Sequence, residues 1–270
     1  MSRDCEATFQ IGAEGPPGAA ALLLHGYLGT PRDLRPLGEA LAAAGVTTRA
    51  ELLPGFGEAG RPQLRRVRAE DWLDAARAAW LDVTRDAAHR TLVGFSMGGA
   101  LALALAADPE VRPDALVLLA PYWRMADRRA ALLPVAHYVM PRFQPFGKLD
   151  FSDPETRLKL AETAPDVDLD DPVVQHSFQE EITVPTHSLY QLRRLGQRAS
   201  RSRLAPQTSR VIVQGLEDPT TLPRDSRDLS RMIGARLIEV PADHMLVDHT
   251  APAWERVRDA VISRAVGAAT

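Results

Sequence analysis

The sequence predicts an α/β fold in which a mostly parallel sheet is flanked by helices and interrupted by an inserted helical segment. Short apolar runs such as Ala19–Leu24 and Ala115–Ala120 have the length and continuity of strands buried on both faces. Stretches with apolar residues at helical spacing lie between the runs, as crossovers between parallel strands require. From Pro121 to about Pro206 this alternation stops, leaving many prolines and short amphipathic pieces. The simplest partition is a first core part at 1–121, an inserted cap at 122–205 and a second core part at 206–270.

Taken in order, Ala19–Leu24 is the first central strand, ending at His25-Gly26. Leu34, Leu37 and Leu41 then mark a helix, and Gly45 stands where a left-handed cap is needed. A strand follows at Val46–Leu53, and Glu70–Ala87 forms a long helix with Trp72, Ala76, Ala79, Trp80 and Val83 on one side. Thr91–Phe95 is a strand, Met97–Ala107 a helix and Ala115–Ala120 a buried strand. After the insertion come a strand at Arg210–Gln214, a helix at Asp225–Ile233, a strand at Arg236–Val240 and a helix from Ala251.

Composition narrows the function classes. The 270 residues are 45% hydrophobic and 25% charged, with a formal net charge of -3 and scattered arginines, so neither a disordered chain nor a nucleic-acid binder is expected. Cys5 is the single cysteine, and the first residues lack the apolar core of a secretion signal. A cytoplasmic location is therefore expected. Apolar stretches such as Ala100–Ala107 fall well short of the roughly 20 residues that cross a bilayer.

Chemistry concentrates at Gly94-Phe95-Ser96-Met97-Gly98, between a predicted strand and a predicted helix. This is the context of a nucleophile elbow, where glycines make room for a strained turn that exposes a serine. A serine hydroxyl needs a base to take its proton. His244 follows the last predicted strand, where a loop can present it at the strand's C-terminal end; His249 is the nearest rival. His25 is read as shaping its loop, and His89, His137, His176 and His187 as surface or cap residues. Asp218, one strand earlier, is the candidate for the carboxylate that orients the imidazole, with Glu217 as the main alternative. Asp243 and Asp248 are read as loop hydrogen-bonding residues. Two backbone amides, those of Met97 and Tyr27, are the candidates for stabilising an oxyanion.

These motifs, together with His25-Gly26-Tyr27, Gly29, Pro54-Gly55-Phe56-Gly57, Gly99 and Gly215, resemble those of bacterial carboxylesterases and monoacylglycerol-lipase-like members of the α/β-hydrolase superfamily. The resemblance implies the α/β-hydrolase fold, an acyl-enzyme on Ser96, proton transfer by His244, orientation by Asp218, and an oxyanion hole at Tyr27 and Met97. It implies no metal or organic cofactor and a small-molecule ester as substrate, of short or medium acyl length or a monoglyceride. Thioesterases, amidases and carbon–carbon bond hydrolases share the same three residues, and a non-catalytic small-ligand binder is the reading from another class. One departure is Gly55-Phe56-Gly57, where many relatives carry Gly-His-Gly. In the insertion, Trp123, Tyr138, Phe143 and Phe146 are candidates for an acyl pocket or for a small core of the cap itself.

Overall fold

Strand Ala19–Leu24 (β2) is built from Ala and Leu alone and is buried along its whole length, so both of its faces need a covering layer. The computed structural model, which describes residues 7–13, 18–125, 128–144, 150–153, 168–176 and 183–267, supplies a layer on each side. Cys5, Phe146, Asp166 and Val167 lie outside the described residues, as does the His176 side chain.

The sheet is formed by Phe9–Ile11 (β1), β2, Val46–Glu51 (β3), His89–Phe95 (β4), Ala115–Leu119 (β5), Ser209–Gly215 (β6) and Arg236–Val240 (β7). Their order is β1-β3-β2-β4-β5-β6-β7; β1 runs antiparallel to β3 and every other pair is parallel. The edge strand β1 is a departure from expectation. Three residues are too few to display a period of two, and β1 is defined by its pairing of Gln10 with Arg49.

Alternate residues of each strand feed opposite layers. Leu22 and Leu24 pack with Ala69–Val83 (α2) and Met97–Leu105 (α3), whereas Ala21 and Leu23 pack with Arg35–Ala43 (α1) and the C-terminal helix. Helix α3 is buried on every side, as its sequence MGGALALAL allows. Helix α2 ends at Val83, four residues before the expected limit, where the Thr84 hydroxyl bonds the Trp80 carbonyl at 2.7 Å. Gly45 does adopt a left-handed conformation, φ 86°, after α1.

The chain divides into two units, one of Met1–Arg128 with Gln191–Thr270 and one of Arg129–Tyr190. The second unit falls within the stretch that the sequence marks as an insertion. It contains Leu133–Val139 (α4), a short helix at Pro172–His176, and a two-residue antiparallel pairing of Arg142–Phe143 with Val184–Pro185. Inside it, the His137 ring stacks on Tyr190 at 4.5 Å, while Tyr138 and Phe143 are exposed rather than forming a small core. Helix Thr186–Ala199 (α5) leads back to the sheet unit, which closes with Pro223–Ile233 (α6) and Trp254–Ala265 (α7). Among the described residues, no helix is long and apolar enough to cross a membrane.

Candidate active site

Two glycines explain how β4 can turn into α3 within one residue. A Cβ at Gly94 would lie 2.2 Å from the Gly98 carbonyl oxygen, and one at Gly98 would lie 2.0 Å from that of Leu24. Only glycine fits both positions. Ser96, between them, has φ 52° and ψ -116°, a conformation that costs an L-residue energy and persists where its surroundings over-determine it. Its amide bonds the Leu119 carbonyl at 2.9 Å, and its carbonyl accepts the amides of Gly99 at 2.9 Å and Tyr122 at 3.0 Å. The serine is pinned from both sides.

Three side chains predicted far apart in sequence meet at the C-terminal end of the sheet. His244 Nε2 lies 3.0 Å from Ser96 Oγ, and its Nδ1 lies 2.8 Å from Asp218 Oδ2. The tautomer that satisfies both bonds carries its hydrogen on Nδ1 and leaves Nε2 free to accept the serine proton. The Phe95 ring packs 5.1 Å from the imidazole. Asp218 is 2% exposed, and Oδ1 takes the backbone amides of Thr220 at 2.7 Å and Thr221 at 2.8 Å. Burial opposes ionisation of this carboxyl, but the hydrogen bond and charge of His244, with the Thr221 donors, outweigh it and hold its pKa below the usual carboxylate range.

The rival residues are occupied elsewhere or exposed. Glu217 faces solvent, Asp243 Oδ1 accepts the Met245 amide at 2.8 Å, and Asp248 Oδ1 accepts that of Thr250 at 2.8 Å. His249 is exposed, and His89 Nε2 bonds the Arg264 carbonyl at 2.7 Å. His25 is fully buried, with Nδ1 donating to the Gly26 carbonyl at 2.8 Å and Nε2 accepting the Leu53 amide at 3.2 Å. Burial lowers its pKa to about 4 against the smaller raising effect of the Gly26 bond. It is therefore a neutral residue that ties two loops together.

Met97 is the first residue of α3, directly after Ser96. Tyr27 lies in a turn closed by the Gly29 amide on the Gly26 carbonyl at 3.1 Å, with Leu28 at φ 62°. A Cβ on Gly26 would come 3.3 Å from the Ser96 Cβ, so this turn runs beside the serine. Phe56, the residue at the departure from Gly-His-Gly, is buried edge-on to His25 at 5.2 Å and to Tyr27 at 5.8 Å. An aromatic wall thus supports the turn.

Sequence reasoning missed the layer behind Asp218. Thr221 Oγ1 lies 2.6 Å from Asp218 Oδ2 and 3.4 Å from His244 Nδ1, and Gln214 Nε2 lies 3.1 Å from the same carboxylate oxygen. The available signal was a glutamine inside the apolar strand Val211-Ile212-Val213. Among the described residues, no group of three or more His, Cys, Asp or Glu side chains is arranged to hold a metal ion.

The sequence matches the family described as "Serine aminopeptidase, S33" over residues 15–242, ending just before His244. It is 37% identical over 100 residues to a thermostable monoacylglycerol lipase from Bacillus sp. (strain H-257); that match spans 37% of this chain and 38% of the relative. Among solved structures, a metagenome-derived lipolytic enzyme of the LipS and LipT pair superposes with a TM-score of 0.73 at 20% identity, covering 96% of each chain. Monoacylglycerol lipase from Paleococcus ferrophilus superposes with a TM-score of 0.70 at 19% identity, covering 96% of this chain and 97% of that one. The fold is that of α/β hydrolases, and with the family description covering most of its length the chain belongs to the serine aminopeptidase family of these hydrolases.

Proposed function

We propose that the protein is a serine hydrolase that cleaves carboxylic esters of short or medium acyl length, monoglycerides among them, through an acyl-enzyme on Ser96. The observation that carries this reading is the hydrogen-bonded series from Ser96 Oγ through His244 to Asp218, at 3.0 and 2.8 Å. The lipolytic relatives favour an ester over other acyl compounds.

In the proposed reaction, Ser96 Oγ attacks the ester carbonyl carbon as its proton passes to His244 Nε2. The carbonyl π electrons move to oxygen, where the amides of Tyr27 and Met97 stabilise the negative charge. Collapse expels the alcohol, which leaves with the proton from Nε2. Water then repeats both steps on the acyl-enzyme and releases the acid. Asp218 remains ionised throughout, and its depressed pKa keeps it so well into the acidic range.

The test is hydrolysis of a p-nitrophenyl ester series of increasing acyl length by the wild type and by folded Ser96→Ala. Turnover that falls at least about 10^3-fold in the variant is expected, and intact-mass detection of an acyl adduct accompanies it. A folded wild type that is inert towards esters, or a variant that retains turnover, overturns the proposal.

A further inference from the structure

Strand β6 reads Ser209-Arg210-Val211-Ile212-Val213-Gln214-Gly215, and Gln214 is as fully buried as its valine and isoleucine neighbours. An amide in this place needs partners, because a buried donor or acceptor left unmade costs more than a made bond contributes. Its partners are specific. Nε2 lies 3.1 Å from Asp218 Oδ2, 2.9 Å from the Thr221 carbonyl and 3.0 Å from that of Gly215, while Oε1 accepts the Ser226 hydroxyl at 2.6 Å. Ser226 is itself fully buried, in the first turn of α6.

We infer that Gln214 is a positioning residue for the acid–base pair and that Ser226 sets the direction in which its amide points. This inference rests on the reading of Ser96, His244 and Asp218 given above. A flipped amide would set Oε1 against three acceptors and turn Nε2 toward Ser226. The Ser226 hydroxyl, donating to Oε1, holds the productive orientation. Backbone amides fix Asp218 Oδ1, but Oδ2, the oxygen facing His244, is held by side chains alone: Gln214, Thr221 and His244 itself. Without Gln214 the carboxylate stays in place while Oδ2 loses one of its restraints and one charge-assisted donor.

Asp218, in the loop after β6, is a charged group that faces His244; the ring also meets the Ser96 hydroxyl, at the turn after β4, and the Phe95 ring at the end of β4. Asp243 and Asp248, on its own loop, are turned to the Met245 and Thr250 amides. Removing a donor from Oδ2 changes the charge presented to the His244 ring, and the pH profile of kcat/KM reads that change.

The experiment compares the wild type, Gln214→Met, Ser226→Ala and the double variant. The measurements are kcat and KM, the pH profile of kcat/KM, the downfield NMR resonance of the His244 Nδ1 proton in the free enzyme, and thermal unfolding. Gln214→Met is expected to lower kcat about tenfold or more with KM within twofold, to displace the acidic limb, and to shift the resonance. Ser226→Ala changes the same quantities in the same direction by less, and the double variant is no worse than Gln214→Met, since Ser226 acts through Gln214. If Gln214→Met loses thermal stability but keeps wild-type kcat, acidic limb and resonance, Gln214 only packs the core and the inference fails. Additive effects in the double variant overturn the part assigned to Ser226. Should Gln214→Met not fold, Ser226→Ala carries the test alone, and wild-type values there overturn the inference. Turnover retained by Ser96→Ala would instead remove the reading beneath it, a distinguishable result.

Discussion

Ser96 is held in a left-handed conformation by contacts that leave no room for a side chain at positions 94 and 98. Its Oγ lies 3.0 Å from a histidine held by a buried carboxylate, and the dependence proposed to follow from that can be measured. In the proposed mechanism Asp218→Asn replaces an acceptor of the Nδ1 proton with a group that can donate, favouring the wrong imidazole tautomer. A fall in kcat of about 10^4-fold is expected, with KM little changed. Steady-state kinetics on an ester substrate check this, and a variant within tenfold of the wild type would mean that Asp218 does not set the tautomer. The three residues were legible in the sequence because a Gly-x-Ser-x-Gly turn and two strand-end loops leave few positions that a parallel sheet brings together. Thr221 and Ser226 were not, because a polar residue in a loop or first helical turn reads the same whether it bonds a buried partner or faces solvent; Gln214 stood out only as an amide ending an apolar strand, with no mark of the carboxylate it bonds.

Helix α2 shows the same physics at the scale of an element. Arg68 donates its amide to the Asp71 carboxylate at 2.7 Å, which caps the first turn, and Trp72 stands on the buried face with its Nε1 donating to the Pro54 carbonyl at 2.9 Å. The Trp72 ring also packs 5.7 Å from Phe56, the residue that lies against His25 and Tyr27. Trp72→Ala leaves a cavity and an unpaired carbonyl, and a destabilisation of about 3–5 kcal/mol is expected from urea unfolding. A loss below about 1 kcal/mol would show that the neighbouring loops collapse into the space. The helical spacing of Trp72, Ala76, Ala79, Trp80 and Val83 announced this element. Its end was less legible, since the Thr84 amide and hydroxyl both bond the Trp80 carbonyl there and the turn that follows leaves no mark in the hydrophobic pattern.

At the scale of the whole molecule, His25 couples stability to pH. Its pKa in the folded protein is about 4, below the ordinary 6.5, so between these values the unfolded chain binds a proton that the folded one does not. Stability is therefore fully present above about pH 6.5 and declines as pH falls toward 4, by about 3 kcal/mol in total. Asp218 adds to this at lower pH: its depressed pKa contributes stability that is present above the unfolded value and lost as pH falls through the folded one. Chemical unfolding across pH 4–8 is expected to show the first decline, flattened in His25→Leu, which is less stable throughout. A wild-type profile that is level between pH 6.5 and 4 would contradict the assignment.

By itself the sequence determined the class of fold and narrowed the site to Ser96 with a few histidine and carboxylate candidates in the strand-end loops. Buried parallel strands are written as continuous apolar runs, crossover helices as a 3.6-residue period, and a strained turn as glycines at fixed offsets. The tertiary structure decided what those patterns leave open: the edge strand β1, which exists through its partner β3; the histidine at position 25, neutral because it is buried between two loops; and the bonds that aim Asp218 at His244. Local pattern records what each residue needs from its surroundings, whereas burial and hydrogen-bond partners arise only when segments distant in sequence come together.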